Sequence, residues 1–291
     1  MLSAWDIMNF TGIFVAVSLM IIFRPKVLEL KRIQLAWSSL ILLFFGFLGA
    51  KILHIILFVD DYYGMTVEQM LTQPKGYAFL GAPIFGAIAL WVYFRNIRVG
   101  FFAGVDYIFP FLILYQAVGR IGCFLNKCCY GIGADLPWAV VFLRDGIPRH
   151  PTQIYSAILL FLIFLLVKIN SKSLRVKRGA SFFSVLMLYG LYRFFIEFLR
   201  ADTGPVFSFL KVSHMASIVI ILVGFIGLVV IFRGLANLLA EIRTFLKRPI
   251  NIYLSLIFFI ILLILLYFYL FSDNFIFYDS GKGVAVPFEA R

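Results

Sequence analysis

The chain has 291 residues, of which 63% are hydrophobic and only 14% are charged, and its net charge is +12. Soluble domains contain about 45–50% apolar and about 25% charged residues, so this composition excludes a soluble protein, and 35 Phe with 14 Tyr exclude a disordered one. The apolar runs are unbroken, which disfavours a porin-type barrel, and the excess of Lys and Arg predicts basic loops that face anionic lipid, with no nucleic acid as partner.

Apolar runs long enough to cross a membrane recur along the whole chain. Because such a helix needs about 20 mostly apolar residues, we predict an all-α integral membrane protein, a polytopic bundle of seven to eight transmembrane helices. Residues 1–233 would form a seven-helix core, 234–251 a cytoplasmic amphipathic segment at the membrane interface, and 252–291 an extra span with an outer-face tail. The eight predicted spans are Ile7–Phe23, Ala36–Phe58, Tyr77–Phe94, Gly100–Val118, Gln153–Val167, Ser181–Leu199, His214–Phe232 and Ile252–Phe271.

Basic residues predict the orientation of these spans. The loops that follow the odd-numbered spans carry fifteen Lys and Arg residues, against nine in the opposite loops and the tail. Since cytoplasmic loops are enriched in positive charge, both termini are predicted to lie outside the cytoplasm. The long loop 119–150 would then lie on the outer face.

Ionisable residues inside the predicted spans are costly and mark either function or a paired charge. Arg193 and Glu197 are spaced i,i+4 on the sixth span and are expected to form an ion pair, which also orients Arg193 toward an anionic ligand. Lys51 and His54 lie toward the outer end of the second span, and for His54 an interface residue satisfied by water and a functional residue both remain open. Asp106, near the inner end of the fourth span, is expected to be structural.

The stretch 119–131, which reads GRIGCFLNKCCYG, holds the densest set of reactive and polar groups. Its glycines, Gly119 and Gly122 among them, predict an irregular chain with close backbone approach. Arg120 offers a planar fork suited to a phosphate group, and Asn126 offers an amide.

A second motif, RHPTQ, leads into the fifth span. Arg149 and His150 precede the start of that helix, where an anion is favoured, and Tyr155 follows one turn on. We therefore expect Arg120, Arg149 and Arg193 to converge on the outer side around the headgroup of an anionic phospholipid, whose tails would occupy an apolar cleft among the spans.

The three cysteines, Cys123, Cys128 and Cys129, leave four states open. They are packed thiols, or include a reactive thiol whose pKa is lowered by Arg120 and Lys127, or form a Cys123–Cys128 disulfide in an oxidising compartment, or bind a metal with the unusual spacing C-x4-C-C. We expect the protein to need no metal and no organic cofactor.

Three separated motifs occur in this order: GRIGxFxN at 119–126, RHPTQIY at 149–155 and YGxxRxxxEFxR at 189–200. Together they resemble the bacterial prolipoprotein diacylglyceryl transferases over about residues 1–233. The resemblance implies a multi-pass enzyme of the bacterial cytoplasmic (inner) membrane whose active face points outward. Such an enzyme moves the diacylglyceryl group of phosphatidylglycerol to the lipobox cysteine thiol of a prolipoprotein, forming a thioether and releasing glycerol phosphate.

The same resemblance assigns roles to individual residues. It implies that Arg120 and Arg193 are the two functional arginines that hold the lipid phosphate. Asn126, Glu197 and Arg200 fall on other motif positions and are expected to contribute to substrate binding.

The chain also departs from the family pattern. The family has a histidine in a His-Gly-Gly stretch of the third span, where this chain has Leu80, and Cys123 and Cys128 stand where the family carries an Asn and a Glu. The group that activates the acceptor thiol is therefore open. His150 is favoured because it lies outside the hydrocarbon, and His54 and the Cys128 thiolate are the other candidates.

Three functions follow from these observations. The first is a diverged prolipoprotein diacylglyceryl transferase, in which Asn126 and Tyr155 orient the headgroup. The second is a paralogue on the same scaffold that uses a phospholipid donor with another acceptor, through a cysteine such as Cys128. The third is a non-catalytic lipid-binding or transport membrane protein. The expected partners are phosphatidylglycerol or another anionic phospholipid, and a prolipoprotein or other acceptor that arrives from the outer face.

Overall fold

The computed structural model describes residues 4–24, 30–72, 76, 78, 81–143, 145–171, 177–201, 211–270, 276–279 and 284–287. A 3-10 turn covers Val59–Tyr62. Within the described ranges the chain is mainly helical, and its ten α-helices are α1 Ala4–Ile22, α2 Arg32–Leu57, α3 Val67–Thr72, α4 Gly81–Asn96, α5 Phe101–Leu125, α6 Thr152–Ile169, α7 Ala180–Phe198, α8 Val212–Ile231, α9 Leu235–Leu246 and α10 Pro249–Leu270.

Two short antiparallel strand pairs accompany the helices. In the segment between α5 and α6, β1 Val140–Val141 pairs with β2 Pro148–Arg149. Beyond α10, β3 Ile276–Asp279 pairs with β4 Val284–Pro287. Most of the predicted outer-face tail lies outside the described residues.

All eight predicted spans fall on helices of the structure. In the described part of the chain, six helices are long and apolar enough to cross a membrane, the apolar stretch of α1, Asp6–Ile22, is shorter, and α4 has 16 residues. The prediction of an all-α membrane bundle is therefore confirmed. The amphipathic segment predicted between the last two spans is α9, whose Leu238 is buried and whose Arg243 lies in the last turn.

Two element boundaries differ from the prediction. Among the described residues of the third span, the helix is α4, which begins at Gly81, and Ala78 lies before it. Pro83 explains this start, because proline lacks the N–H that a helix interior needs and is tolerated in the first turn. The predicted start, Tyr77, lies outside the described residues. α5 continues to Leu125, so the irregular chain predicted from residue 119 onward is wrong up to that point.

The chain divides into two compact units, and one of them comprises Val17–Val105. Its core is the contact between α2 and α4, which is made through small residues. A Cβ at Gly49 would collide with the Phe85 side chain and with the carbonyl of Gly81. Small residues at such a contact let two helices approach closely, which is how membrane helices gain van der Waals packing.

The other unit comprises Met1–Ala16 and Asp106–Arg291, and it contains α7 and α8. These two helices pack closely, because a Cβ at Gly224 would lie 2.7 Å from the backbone nitrogen of Met187. This approach, on the side of α7 that carries Met187 and Gly190, fixes α7 against α8, and the polar face of α7 carries the candidate site.

Asp106 at the start of α5 caps α7. Its carboxylate accepts hydrogen bonds from the backbone N–H of Gly179 at 2.5 Å and of Phe182 at 2.8 Å. These donors at a helix N-terminus have no partner within the helix, and a carboxylate there is also favoured by the helix dipole. The structural role predicted for Asp106 is confirmed.

Candidate active site

One face of α7 carries a row of polar side chains. Tyr189, Tyr192, Arg193 and Glu197 are spaced at i, i+3, i+4 and i+8, which aligns them along one side of the helix. Tyr192 and Glu197 are fully buried. Buried polar groups on an otherwise apolar membrane helix point to a functional site.

Glu197 is shared by two arginines. Its Oε2 lies 2.9 Å from Nη2 of Arg193 and 3.6 Å from Nη1 of Arg200. The ion pair predicted between Arg193 and Glu197 is confirmed. Because one carboxylate serves two guanidinium groups, these three side chains together keep a net positive charge.

Arg120 joins this cluster from α5. Its charge acts on the hydroxyl groups of Tyr189 and Tyr192, and the charges of Arg193 and Arg200 also act on Tyr189. Among the described residues, Arg120 makes no hydrogen bond or ion pair, and Nη1 of Arg193 is buried without a hydrogen-bond partner. Arg120 and Arg193 therefore converge around Tyr189 with donors unused, which suits them to bind a phosphate group.

The start of α8 supports the cluster from the other side. The Lys211 ammonium donates to the backbone carbonyls of Glu197 at 3.0 Å and Arg200 at 2.6 Å. The Ser213 hydroxyl lies 3.5 Å from Nη2 of Arg193. Lys211 therefore stabilises the carbonyl end of α7, where a positive charge is favoured.

Sequence reasoning did not assign roles to several residues of this cluster. Tyr189 and Tyr192 carried a usable signal, since they share the helical face of Arg193. Lys211 and Ser213 carried none, because they come from a different helix and only the packing of α7 against α8 brings them close.

The segment between α5 and α6 folds back onto the end of α7. The N–H of Gly131 donates to the carbonyl of His150 at 2.9 Å, the N–H of Ile132 to the carbonyl of Leu199 at 2.8 Å, and the N–H of His150 to the carbonyl of Ile132 at 3.1 Å. A Cβ at Gly131 would lie 2.6 Å from the Cβ of His150, so this close approach requires glycine. These bonds hold the segment beside Arg200.

His150 is buried within this segment. Its Nδ1 lies 3.3 Å from the hydroxyl of Tyr155, and that hydroxyl accepts a hydrogen bond from Nε1 of Trp138 at 2.7 Å. Burial lowers the pKa of His150 to about 4. The imidazole is therefore neutral at neutral pH, and as a general base it is weak, because an efficient base has a pKa near the working pH.

Arg149 has its partners inside the same segment. Its Nη2 lies 2.5 Å from the carboxylate of Asp145, and its guanidinium lies 5.1 Å from the centre of the Tyr130 ring. Burial raises the pKa of Asp145, but hydrogen bonds from the Ile147 N–H and from Arg149 outweigh it and hold that pKa below its usual value. The structure thus brings Arg120 and Arg193 together, whereas Arg149 is paired with Asp145 within its segment and keeps a buried Nε without a hydrogen-bond partner among the described residues.

Asn126 follows the end of α5 and is exposed, with its side chain in hydrogen-bond range of the Cys128 thiol. Burial and the neighbouring Cys129 raise the pKa of Cys128, so this group is a thiol at neutral pH. All three cysteines are free, and their Sγ atoms lie within 4.8 Å of one another. The disulfide alternative is not present, and the three thiols are the residues that could hold a soft metal ion.

Gly119 and Gly122 lie on α5, one on each side of Arg120. A Cβ at Gly119 would lie 3.5 Å from Oδ1 of Asn9 on α1, which is ordinary contact. The two glycines therefore flank the arginine on a regular helix.

Lys51 and His54 belong to the unit Val17–Val105. Lys51 is buried, with 1% exposure, and its Nζ lies 3.4 Å from the hydroxyl of Tyr62. That hydroxyl lies 3.0 Å from Nδ1 of His54, so His54 has a protein partner. Leu80, the position of the family histidine, lies outside the described residues.

Comparisons with known proteins agree with the motifs. The family model described as prolipoprotein diacylglyceryl transferase matches residues 2–230. A protein of Clostridium tetani named phosphatidylglycerol–prolipoprotein diacylglyceryl transferase is 36% identical over 185 residues, which cover 62% of this chain and 73% of that protein. Proteins with the same name from Finegoldia magna (36% identical over 179 residues; 61% and 71% covered) and Bordetella parapertussis (32% over 185 residues; 61% and 70%) are similar over comparable lengths.

Proposed function

Because this chain belongs to the prolipoprotein diacylglyceryl transferase family, we propose that it moves the diacylglyceryl group of phosphatidylglycerol to the lipobox cysteine thiol of a prolipoprotein. By its family and its apolar helices the protein is a multi-pass membrane transferase. The observation that supports the proposed donor is the convergence of Arg120 and Arg193 around Tyr189 with unused hydrogen-bond donors. The proposed acceptor rests on the names of the relatives.

In the proposed reaction the acceptor sulfur attacks the glycerol carbon that bears the phosphate. A C–S bond forms, the C–O bond breaks, and its electron pair leaves with the phosphate oxygen. The thiol proton is released, and the phosphodiester monoanion becomes glycerol phosphate, a dianion. Negative charge therefore develops on the leaving group, and groups that stabilise this charge lower the barrier.

Arg120 and Arg193 are proposed to supply this stabilisation. Arg193 uses Nη2 on Glu197 and keeps Nη1 buried without a partner in the described structure, so Nη1 is the donor proposed for the phosphate. Glu197 then acts as a positioning residue, because it holds the guanidinium without taking both of its edges. Because the site is largely shielded from water, the charge of the two arginines acts with little screening.

Activation of the acceptor thiol is the step with several candidates. Burial leaves His150 a weak base, and it disfavours the thiolate of Cys128. This favours ionisation of the acceptor thiol in the positive field of Arg120 and Arg193, since cations lower the pKa of a nearby cysteine. His54, hydrogen-bonded to Tyr62, is the alternative base.

The proposed location is the bacterial cytoplasmic (inner) membrane, with both termini outside and the site open to the outer face. The distribution of basic residues supports this orientation. It puts the segment between α5 and α6, which lies against the end of α7, on the side from which a prolipoprotein would arrive.

A transfer assay tests the proposal. The purified full-length protein is incubated with vesicles that contain radiolabelled phosphatidylglycerol and with a lipobox peptide. We expect a thioether-linked peptide and an equal amount of released glycerol phosphate, and no transfer to a matched peptide with Ser in place of Cys. Release of glycerol phosphate without peptide modification would contradict the proposed acceptor.

A second candidate function is supported by the cysteine cluster. Cys123 and Cys128 stand where the resemblance expects an Asn and a Glu, and both lie in the group of three thiols. A paralogue that uses another acceptor would consume phosphatidylglycerol without modifying the lipobox peptide, and Cys128→Ser would abolish that turnover. The assay described above separates the two candidates.

A further inference from the structure

Every cysteine of the chain lies in one cluster at the end of α5. The sequence contains three cysteines, and the Sγ atoms of Cys123, Cys128 and Cys129 lie within 4.8 Å of one another. All three are free thiols and are partly buried. The proposed transfer reaction uses none of them, and the second candidate function uses Cys128 alone. The grouping of all three thiols therefore needs another explanation.

The backbone after α5 is shaped to bring the thiols together. Cys123 lies in the last turns of α5, and the N–H of Cys128 returns to the carbonyl of Cys123 at 3.1 Å. Lys127 and Cys129 adopt positive φ angles of 54° and 60°. Residues other than glycine rarely adopt this conformation, because the side chain crowds the backbone there. The chain therefore holds Cys128 and Cys129 over Cys123 at an energetic cost.

The composition of the cluster limits its ligand. The group consists of three sulfur atoms, with no histidine or carboxylate among its members in the part of the chain that the structure describes. Thiolates are soft ligands and select copper(I), zinc and iron–sulfur clusters. Structural zinc sites are almost always four-coordinate, whereas three thiolates complete the coordination of a monovalent soft cation. Metal–sulfur bonds of about 2.3 Å in a trigonal site place the sulfurs about 4 Å apart, which is compatible with sulfur atoms that all lie within 4.8 Å of one another.

We propose that Cys123, Cys128 and Cys129 form a three-thiolate binding site for copper(I). Binding would replace the thiol protons, which are released to solvent. The bound cation itself drives this exchange, because a thiol that coordinates a metal loses its proton to solvent. The site does not depend on the proposed transferase reaction, since its ligands and its test involve neither lipid nor acceptor.

The test uses the full-length protein, reduced with a phosphine and kept free of oxygen in detergent. Copper(I) is titrated in competition with a chromogenic chelator, and binding is followed by the thiolate-to-copper charge-transfer absorption. We expect about one equivalent to bind. The triple variant Cys123→Ser, Cys128→Ser, Cys129→Ser contains no thiol, so it is a complete background control and should show neither binding nor absorption. Each single Ser variant should weaken binding about tenfold or more.

Protection from alkylation gives a second readout that needs no variant. Copper(I) should protect all three thiols of the parent protein from a maleimide, counted by mass spectrometry, whereas magnesium should protect none. Equal copper binding by the parent protein and the triple variant would overturn the proposal. So would a preference for zinc over copper(I) in direct competition, or a disulfide that persists within the cluster after reduction.

Discussion

The Arg193 guanidinium holds the fully buried Glu197 carboxylate at 2.9 Å through Nη2, and its Nη1 stays buried without a partner among the described residues. Removing an ion from water costs several kcal/mol, and a buried donor without a partner costs about 1–3 kcal/mol more. Such an arrangement is a poor choice for stability alone. It fits a guanidinium whose second edge is kept for a substrate anion.

Replacing either Arg120 or Arg193 should remove activity without loss of the fold. We expect Arg120→Ala and Arg193→Ala each to lower kcat/KM for lipid turnover by about 100-fold or more, the size seen when a group that stabilises developing charge is removed. Lysine at either position should restore part of the activity, because it returns the charge but not the two-pronged geometry. Arg243→Ala, at an exposed position on α9, is the matched control and should keep full activity. Near-normal turnover in both alanine variants would remove the phosphate-binding role.

Glu197→Gln tests the positioning role of the carboxylate. The variant leaves Arg193 and Arg200 without their shared counter-charge, and breaking a buried ion pair costs about 3–5 kcal/mol. We expect a clear fall of the unfolding temperature in detergent, together with recovery of part of it when inorganic phosphate is added. Glu68→Gln, at an exposed position on α3, is the control and should unfold like the parent. A Glu197→Gln protein that is as stable as the parent and insensitive to phosphate would contradict this role.

The orientation is tested with reporter fusions. A reporter placed after Arg178 should report the cytoplasm, and one placed after Gly281 should report the outside, because basic residues concentrate on the cytoplasmic side. Alkaline phosphatase and a fluorescent protein give opposite signals in the two compartments, so each fusion site has its own control. A cytoplasmic signal after Gly281 would remove α10 as a span.

The apolar pattern predicted the helices well because lipid leaves a spanning segment no other way to pair its backbone groups. The ion pair between Arg193 and Glu197 followed from their spacing on one helix. Arg149 shows where sequence reasoning stops. Its partner Asp145 lies only four residues earlier in the sequence. The loop has no periodicity, however, so the sequence could not predict which side chain Arg149 would contact. The three thiols likewise lie together because Lys127 and Cys129 adopt positive φ angles, which no sequence pattern predicts.

A reciprocal amide pair attaches α10 to the end of α6. Nδ2 of Asn170 donates to Oδ1 of Asn251 at 2.8 Å, and Nδ2 of Asn251 donates back to Oδ1 of Asn170 at 2.8 Å. Asn170→Leu or Asn251→Leu alone should destabilise the protein more than half as much as the double variant, because each leaves one buried amide without its bonds to the other amide, although a bond to a backbone carbonyl remains. We expect a coupling of about 1 kcal/mol in a double-mutant cycle of unfolding, typical for hydrogen bonds between membrane helices. Additive effects would show that the pair does not hold α10.

His150 should make stability depend on pH on the acid side. Its pKa falls from the ordinary 6.5 to about 4 on folding, because burial disfavours the charged imidazolium. Between these two pH values the unfolded chain therefore binds more protons than the folded protein. The contribution of His150 to the free energy of unfolding should be constant above about pH 6.5, and the free energy of unfolding should fall as the pH drops toward 4. His150→Gln keeps a polar side chain of similar size and should flatten this part of the profile, measured by unfolding in detergent at several pH values.

Transfer activity adds a separate readout for the role of His150. If His150 were the base, its removal would abolish transfer at every pH, whereas activation by the arginines predicts that His150→Gln retains transfer at pH 7 to 8. An acid limb of kcat/KM that disappears in His54→Ala and persists in His150→Gln would assign the base to His54 instead.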